Sequence, residues 1–84
     1  MNAKARKTLQ AVFRRPTLAT IAWADIEALF RALGAEILEG SGSRTRVRLG
    51  SGLAVFHRPH PQKEAKKSLV EAVRLFLSNN GITP

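Results

Sequence analysis

Apolar residues recur at helical spacing through the first third of the chain, alternate with arginines in the middle, and return to helical spacing before the end. That succession predicts helices around a small sheet. Residues 3–14 are predicted as a short helix in which Ala5, Leu9, Val12 and Phe13 share one face, with Pro16 ending it. Pro16 to Ala22 is apolar and rich in small or β-branched residues, and reads as a connector. A second helix, from Trp23 to Leu33, carries Trp23, Ile26, Leu29, Phe30 and Leu33 on a broad stripe. Gly34 follows it and suits the left-handed conformation that closes helices.

Ala35 to Glu39 reads as a first strand with Ile37 inward, a pattern in which Leu38 fits poorly. The run Gly40-Ser41-Gly42-Ser43 is a flexible turn into a second strand, residues 44–49, where Arg44, Arg46 and Arg48 alternate with Thr45, Val47 and Leu49. Gly50-Ser51 places glycine first, as a two-residue type II′ hairpin requires. Such a turn pairs Leu49 with Gly52 and sends Val47, Leu49, Ala54 and Phe56 to the core. Arg44, Arg46, Arg48, Leu53, Val55 and His57 then share the other face. A three-residue turn would reverse the third strand and turn His57 inward.

Pro59 and Pro61 stop the third strand, and Gln62 to Lys67 form a basic connector. Ser68 followed by Glu71 has the spacing of a capping box, which predicts that the last helix starts there. Leu69, Val70, Val73, Phe76 and Leu77 make its apolar stripe, Asn79-Asn80-Gly81 terminates it, and Ile82 folds back onto it. Two helices, three antiparallel strands and a final helix give an α+β domain, with helices on one sheet face and the other face left free.

Charge changes that picture from a scaffold to a surface. Residues 1–15 carry five basic groups and no acid, and residues 40–67 carry seven against Glu64 alone. Between them Asp25, Glu27, Glu36 and Glu39 outnumber Arg31. The net charge of +8 is therefore polarised, and a row of guanidinium groups on a free sheet face is suited to phosphates. Arg44, Arg46 and Arg48, with Arg58, Lys63, Lys66 and Lys67 nearby, are the expected RNA-binding residues. The competing account is a solvated face that needs no ligand.

The only two histidines, His57 and His60, fall in the same basic segment, as Phe56-His57-Arg58-Pro59-His60-Pro61. Imidazole exchanges protons near neutral pH, so these are the candidate catalytic groups, against the alternative of a loop residue and a strand-end cap. The carboxylates show no metal-ligand spacing with the histidines, and the chain has no cysteine, so no disulfide, thiolate metal site or cofactor is expected. The glycine-serine turn lacks the lysine and the following helix of a phosphate loop. No apolar run approaches the roughly 20 residues of a membrane span, and the lysine-rich start lacks a signal-peptide core. A cytoplasmic protein with no membrane partner is the expectation.

From Ile26 to Ile82 the order of short motifs resembles the HicA family of toxins from bacterial toxin-antitoxin systems. These motifs are a helix, Gly34, a strand ending in Gly40-Ser41, a hairpin, Pro59-His60-Pro61, a basic connector, a helix and Asn80-Gly81-Ile82. The resemblance implies a fold like that of double-stranded RNA-binding domains, cleavage of mRNA that halts translation, and neutralisation by a cognate HicB-like antitoxin, through which the toxin would also assemble. It divides the chain into an N-terminal helical extension and connector, residues 1–22, and a HicA-like domain, residues 23–84, within one compact unit. Typical members place their catalytic histidine directly after the Gly-Ser of the first turn, whereas this chain has Gly42 there. His60 matches a family histidine position, and His57 is additional. Two function classes follow: a metal-independent endoribonuclease toxin in which His57, His60 or both replace the missing histidine, or a non-catalytic module that binds RNA or an antitoxin.

Overall fold

The chain forms α1 (Ala3–Val12), α2 (Trp23–Ala32), β1 (Glu36–Glu39), β2 (Arg44–Leu49), β3 (Gly52–His57) and α3 (Lys67–Asn79). The computed structural model describes every residue, Met1–Pro84. The strands make one antiparallel sheet in the order β1-β2-β3, and the architecture is the expected α+β domain. Leu49 pairs with Gly52 and Arg44 with His57, the register of the two-residue turn, whose Gly50 takes a φ of +59°. Thr45, Val47 and Phe56 are buried while Arg44, Arg46, Arg48, Val55 and His57 are exposed. His57 therefore lies on the open face. Leu38 does too, as the cross-strand partner of Arg46.

One apolar cluster joins all three helices to the inner sheet face. At its centre, Phe56 stacks on Phe30 with ring centroids 5.8 Å apart and meets Phe76 edge-on at 5.8 Å and Trp23 at 6.1 Å. Edge-to-face and offset contacts of this kind add to the area they bury. The two helices that frame the sheet, α2 and α3, end in the same way. After α2, Gly34 (φ +83°) donates its N–H to the Arg31 carbonyl and Ala35 donates to Phe30. After α3, Gly81 (φ +78°) donates to Ser78 and Ile82 donates to Leu77 at 2.9 Å, with Ile82 packed on the core. These are Schellman caps, and the first of them occupies Ala35, so β1 starts one residue later than its sequence pattern predicts.

Two other boundaries differ from expectation. The first helix stops at Val12, with Phe13 as its C-cap, and opens on the Asn2 side chain, which accepts a hydrogen bond from the Ala5 N–H at 2.8 Å. The last helix begins at Lys67, with Lys66 as N-cap and no side-chain capping bond. Ser68 is thus already inside the helix, and Glu71 accepts a hydrogen bond from the Thr17 hydroxyl instead of closing a capping box. Pairing between the two connectors sets that start. Trp23 donates its N–H to the Lys63 carbonyl at 2.9 Å and Ala65 donates to Ile21 at 2.8 Å, around a bridge between Ala22 and Glu64. This short ladder holds the basic connector against the entrance of α2.

The N-terminal helix is fastened by a side chain that its own sequence gives no reason to expect inside. Arg74 of α3 is buried, with 7% of its surface exposed. Its Nε donates to the Val12 carbonyl at 2.9 Å, and Nη2 donates to the Arg14 carbonyl at 3.2 Å and the Thr17 hydroxyl at 2.9 Å. The last carbonyls of α1 carry the negative end of its dipole and lack partners within the helix, so a guanidinium is well matched to them.

Candidate functional site

The residues expected to act together lie on two surfaces. The open sheet face carries the cross-strand row Leu38, Arg46 and Val55, flanked by Arg44 beside His57 and by Arg48 between Glu36 and Leu53. Leu38, Leu53 and Val55 are 38%, 57% and 52% exposed, so the arginines stand among apolar side chains and not in a purely charged field. Arg48 approaches Glu36 at 3.8 Å, an acid from the neighbouring strand that alternation along β2 alone does not reveal. Arg44 and Arg46 have no ion-pair partner within the chain.

The second surface is a cleft of about 840 Å³ at the end of the sheet where β1 and β3 finish and β2 begins. Three segments line it. The start of α2 supplies Ala22, Trp23, Ala24 and Glu27, the turn between β1 and β2 supplies Gly42 and Ser43, and the segment after β3 supplies Arg58, Pro59, His60, Gln62 and Lys63. The connector ladder brings the third segment to the first, because Lys63 is bonded to the backbone of Trp23. Arg58 brings it to the second. Its N–H donates to the Ser43 carbonyl at 2.8 Å, its Nη2 donates to the Gly42 carbonyl at 3.1 Å, and its Nη1 pairs with Glu39 at 2.9 Å. Arg58 is thereby held as a brace of the turn with its charge opposed by Glu39, which leaves Lys63 as the cation of the cleft without an acidic partner.

His60 lines this cleft together with Gly42, the position at which the resemblance expects a histidine. Gly42 has φ +66°, and a Cβ added there would meet no heavy atom within 4 Å. His57 does not line the cleft; it shares a smaller depression of about 190 Å³ with His60, Arg58, Pro59, Gln62, Lys66 and Leu69. His60 thus borders both hollows. Lys67 borders neither. Chemically, the cleft offers an imidazole, an ammonium, a braced guanidinium and one carboxylate, Glu27, which sequence reasoning passed over. Its position one helical turn after Trp23 was the available signal, since residues four apart share a helix face.

The sequence that builds this cleft matches a known family. The chain matches the family model described as the HicA toxin of bacterial toxin-antitoxin systems over residues 23–81, more than half its length. No curated protein and no solved structure matches it. The matched segment runs from the first residue of α2 to the glycine that caps α3, and so contains all three strands and every residue lining the cleft except Ala22. On that match the chain belongs to the HicA family of bacterial toxin-antitoxin toxins.

Proposed function

We propose that the protein is an mRNA-cleaving endoribonuclease, the toxin of a type II pair, which inhibits translation until a HicB-like antitoxin covers it. The observation that carries this reading is the shared cleft, in which His60 and Lys63 stand with the Gly42-Ser43 turn where typical members of the family hold their catalytic histidine. Cleavage by the 2′-hydroxyl needs a proton acceptor, a proton donor for the leaving oxygen and a cation beside the phosphorane-like transition state. An imidazole and an ammonium meet the last two needs without a metal ion. Arg44, Arg46 and Arg48, supported by Lys66 and Lys67, would hold flanking phosphates of the same RNA.

The test separates cleavage from binding. Replacement of His60 by alanine is expected to lower single-turnover cleavage by about 10²- to 10⁴-fold, the usual effect of losing a general acid or base, with RNA affinity little changed. His57→Ala is expected to act on affinity and not on rate, through its place beside Arg44. Full cleavage by the double variant would refute the histidine mechanism.

The exposed Leu38, Leu53 and Val55 among the arginines favour a second reading, a non-catalytic module whose open sheet face binds an acidic, partly apolar antitoxin or RNA. Changing Arg44, Arg46 and Arg48 to glutamine would then abolish antitoxin binding. On RNA it would flatten the logarithmic salt slope by roughly 0.7 to 0.9 for each phosphate no longer engaged. Absence of cleavage by the wild-type protein, with binding intact, would establish this reading over the first.

A further inference from the structure

We infer that Glu27 is the general base of RNA cleavage in this chain, taking the role left open by Gly42. The assignment rests on the ribonuclease reading. Five of the six carboxylates are accounted for elsewhere. Asp25 pairs with Lys4, Glu36 with Arg48 and Glu39 with Arg58, Glu71 accepts from Thr17, and Glu64 lies outside the cleft on the connector ladder. Glu27 has no ion-pair or hydrogen-bond partner, is half-buried, and is the one carboxylate in the lining of the cleft. A lone carboxylate repels the phosphates that the surrounding cations attract, so it weakens binding unless it acts on the bound RNA.

The donor set is complete for a metal-free transesterification. The Glu27 carboxylate removes the proton from the ribose 2′-hydroxyl as O2′ forms its bond to phosphorus. The P–O5′ bond breaks, and the His60 imidazolium protonates the departing O5′. Lys63 faces the charge that builds on the non-bridging oxygens. The products are a 2′,3′-cyclic phosphate and a 5′-hydroxyl, with one proton taken up by Glu27 and one released by His60. The two groups come from separate elements, the first turns of α2 and the segment after β3, and the Trp23–Lys63 backbone bond holds these together.

The experiment uses full-length wild type, Glu27→Gln, Glu27→Asp and His60→Ala on an RNA, and on the same RNA with sulfur replacing the bridging O5′ at the cleavage site. A thiolate leaves without protonation, so this substrate dispenses with the acid but still needs the base. On ordinary RNA, Glu27→Gln is expected to lose about 10²- to 10⁴-fold in single-turnover rate and Glu27→Asp less, with affinity for a 2′-deoxy analogue unchanged or tighter. On the sulfur substrate, His60→Ala should recover nearly wild-type cleavage and Glu27→Gln should not. Wild-type rates for Glu27→Gln, or its rescue by sulfur, would overturn the assignment while leaving the ribonuclease reading intact. If wild type cleaves neither substrate, the ribonuclease reading falls and the assignment with it. Should Glu27→Gln unfold, Glu27→Asp decides by the same sulfur comparison.

Discussion

Arg74 offers the most direct test of how the N-terminal helix is held. Arg74→Met keeps most of the aliphatic stem but removes the charge and the three donated hydrogen bonds to Val12, Arg14 and Thr17. Arg14 is exposed and Thr17 half-buried, so water can replace their missing donor; Val12 is fully buried, and its carbonyl is left without one. Removing a charged hydrogen bond and orphaning a buried carbonyl costs about 2 to 4 kcal/mol, after allowance for the desolvation penalty that methionine avoids. At 0.05 to 0.15 kcal/mol per residue, a chain of this length has a total stability of about 4 to 13 kcal/mol, so the change is large. Urea unfolding followed by circular dichroism should show the lowered midpoint. Hydrogen exchange should place the greatest loss of protection in α1. Arg74→Lys should recover less than half, because an ammonium lacks the planar fork that spans two carbonyls. Leu75→Ala, at a position 62% exposed on the same helix, should stay within about 0.5 kcal/mol of wild type. A loss below about 0.5 kcal/mol for Arg74→Met, with unchanged denaturant slope, would refute the docking role.

Two further outcomes follow from the fold and the cleft. Phe56→Ala should destabilise by about 3 to 5 kcal/mol, since the ring meets Trp23, Phe30 and Phe76 at once; a value under about 1 kcal/mol in chemical denaturation would contradict the strand register. At Gly42 an added Cβ meets no heavy atom within 4 Å but would sit at φ +66°, so Gly42→His should cost about 1 to 2 kcal/mol and, on the ribonuclease reading, raise cleavage at least about tenfold. Unchanged cleavage by a folded Gly42→His variant would show that the turn is no longer part of the reacting site.

Elements, register and the two faces of the sheet were legible in the sequence, because each depends on neighbours a few residues apart. Alternation in Arg44 to Leu49 and one glycine-serine turn were enough to bury Val47 and Phe56 and to expose His57. Helical spacing was enough to select the core stripes of α2 and α3. The start of α3 was not legible, because a capping pattern is local, whereas the competing ladder between Ile21-Trp23 and Lys63-Ala65 joins segments some forty residues apart. Packing between distant elements decided that Arg74 would close α1 across 62 residues of sequence, that Glu39 would oppose Arg58, and that His60 would line a cleft to which the arginine row does not contribute. It also brought Glu27, Gly42 and His60 to one cleft. Periodicity says which way a side chain points from its own element; what it meets there depends on how elements distant in sequence are folded together.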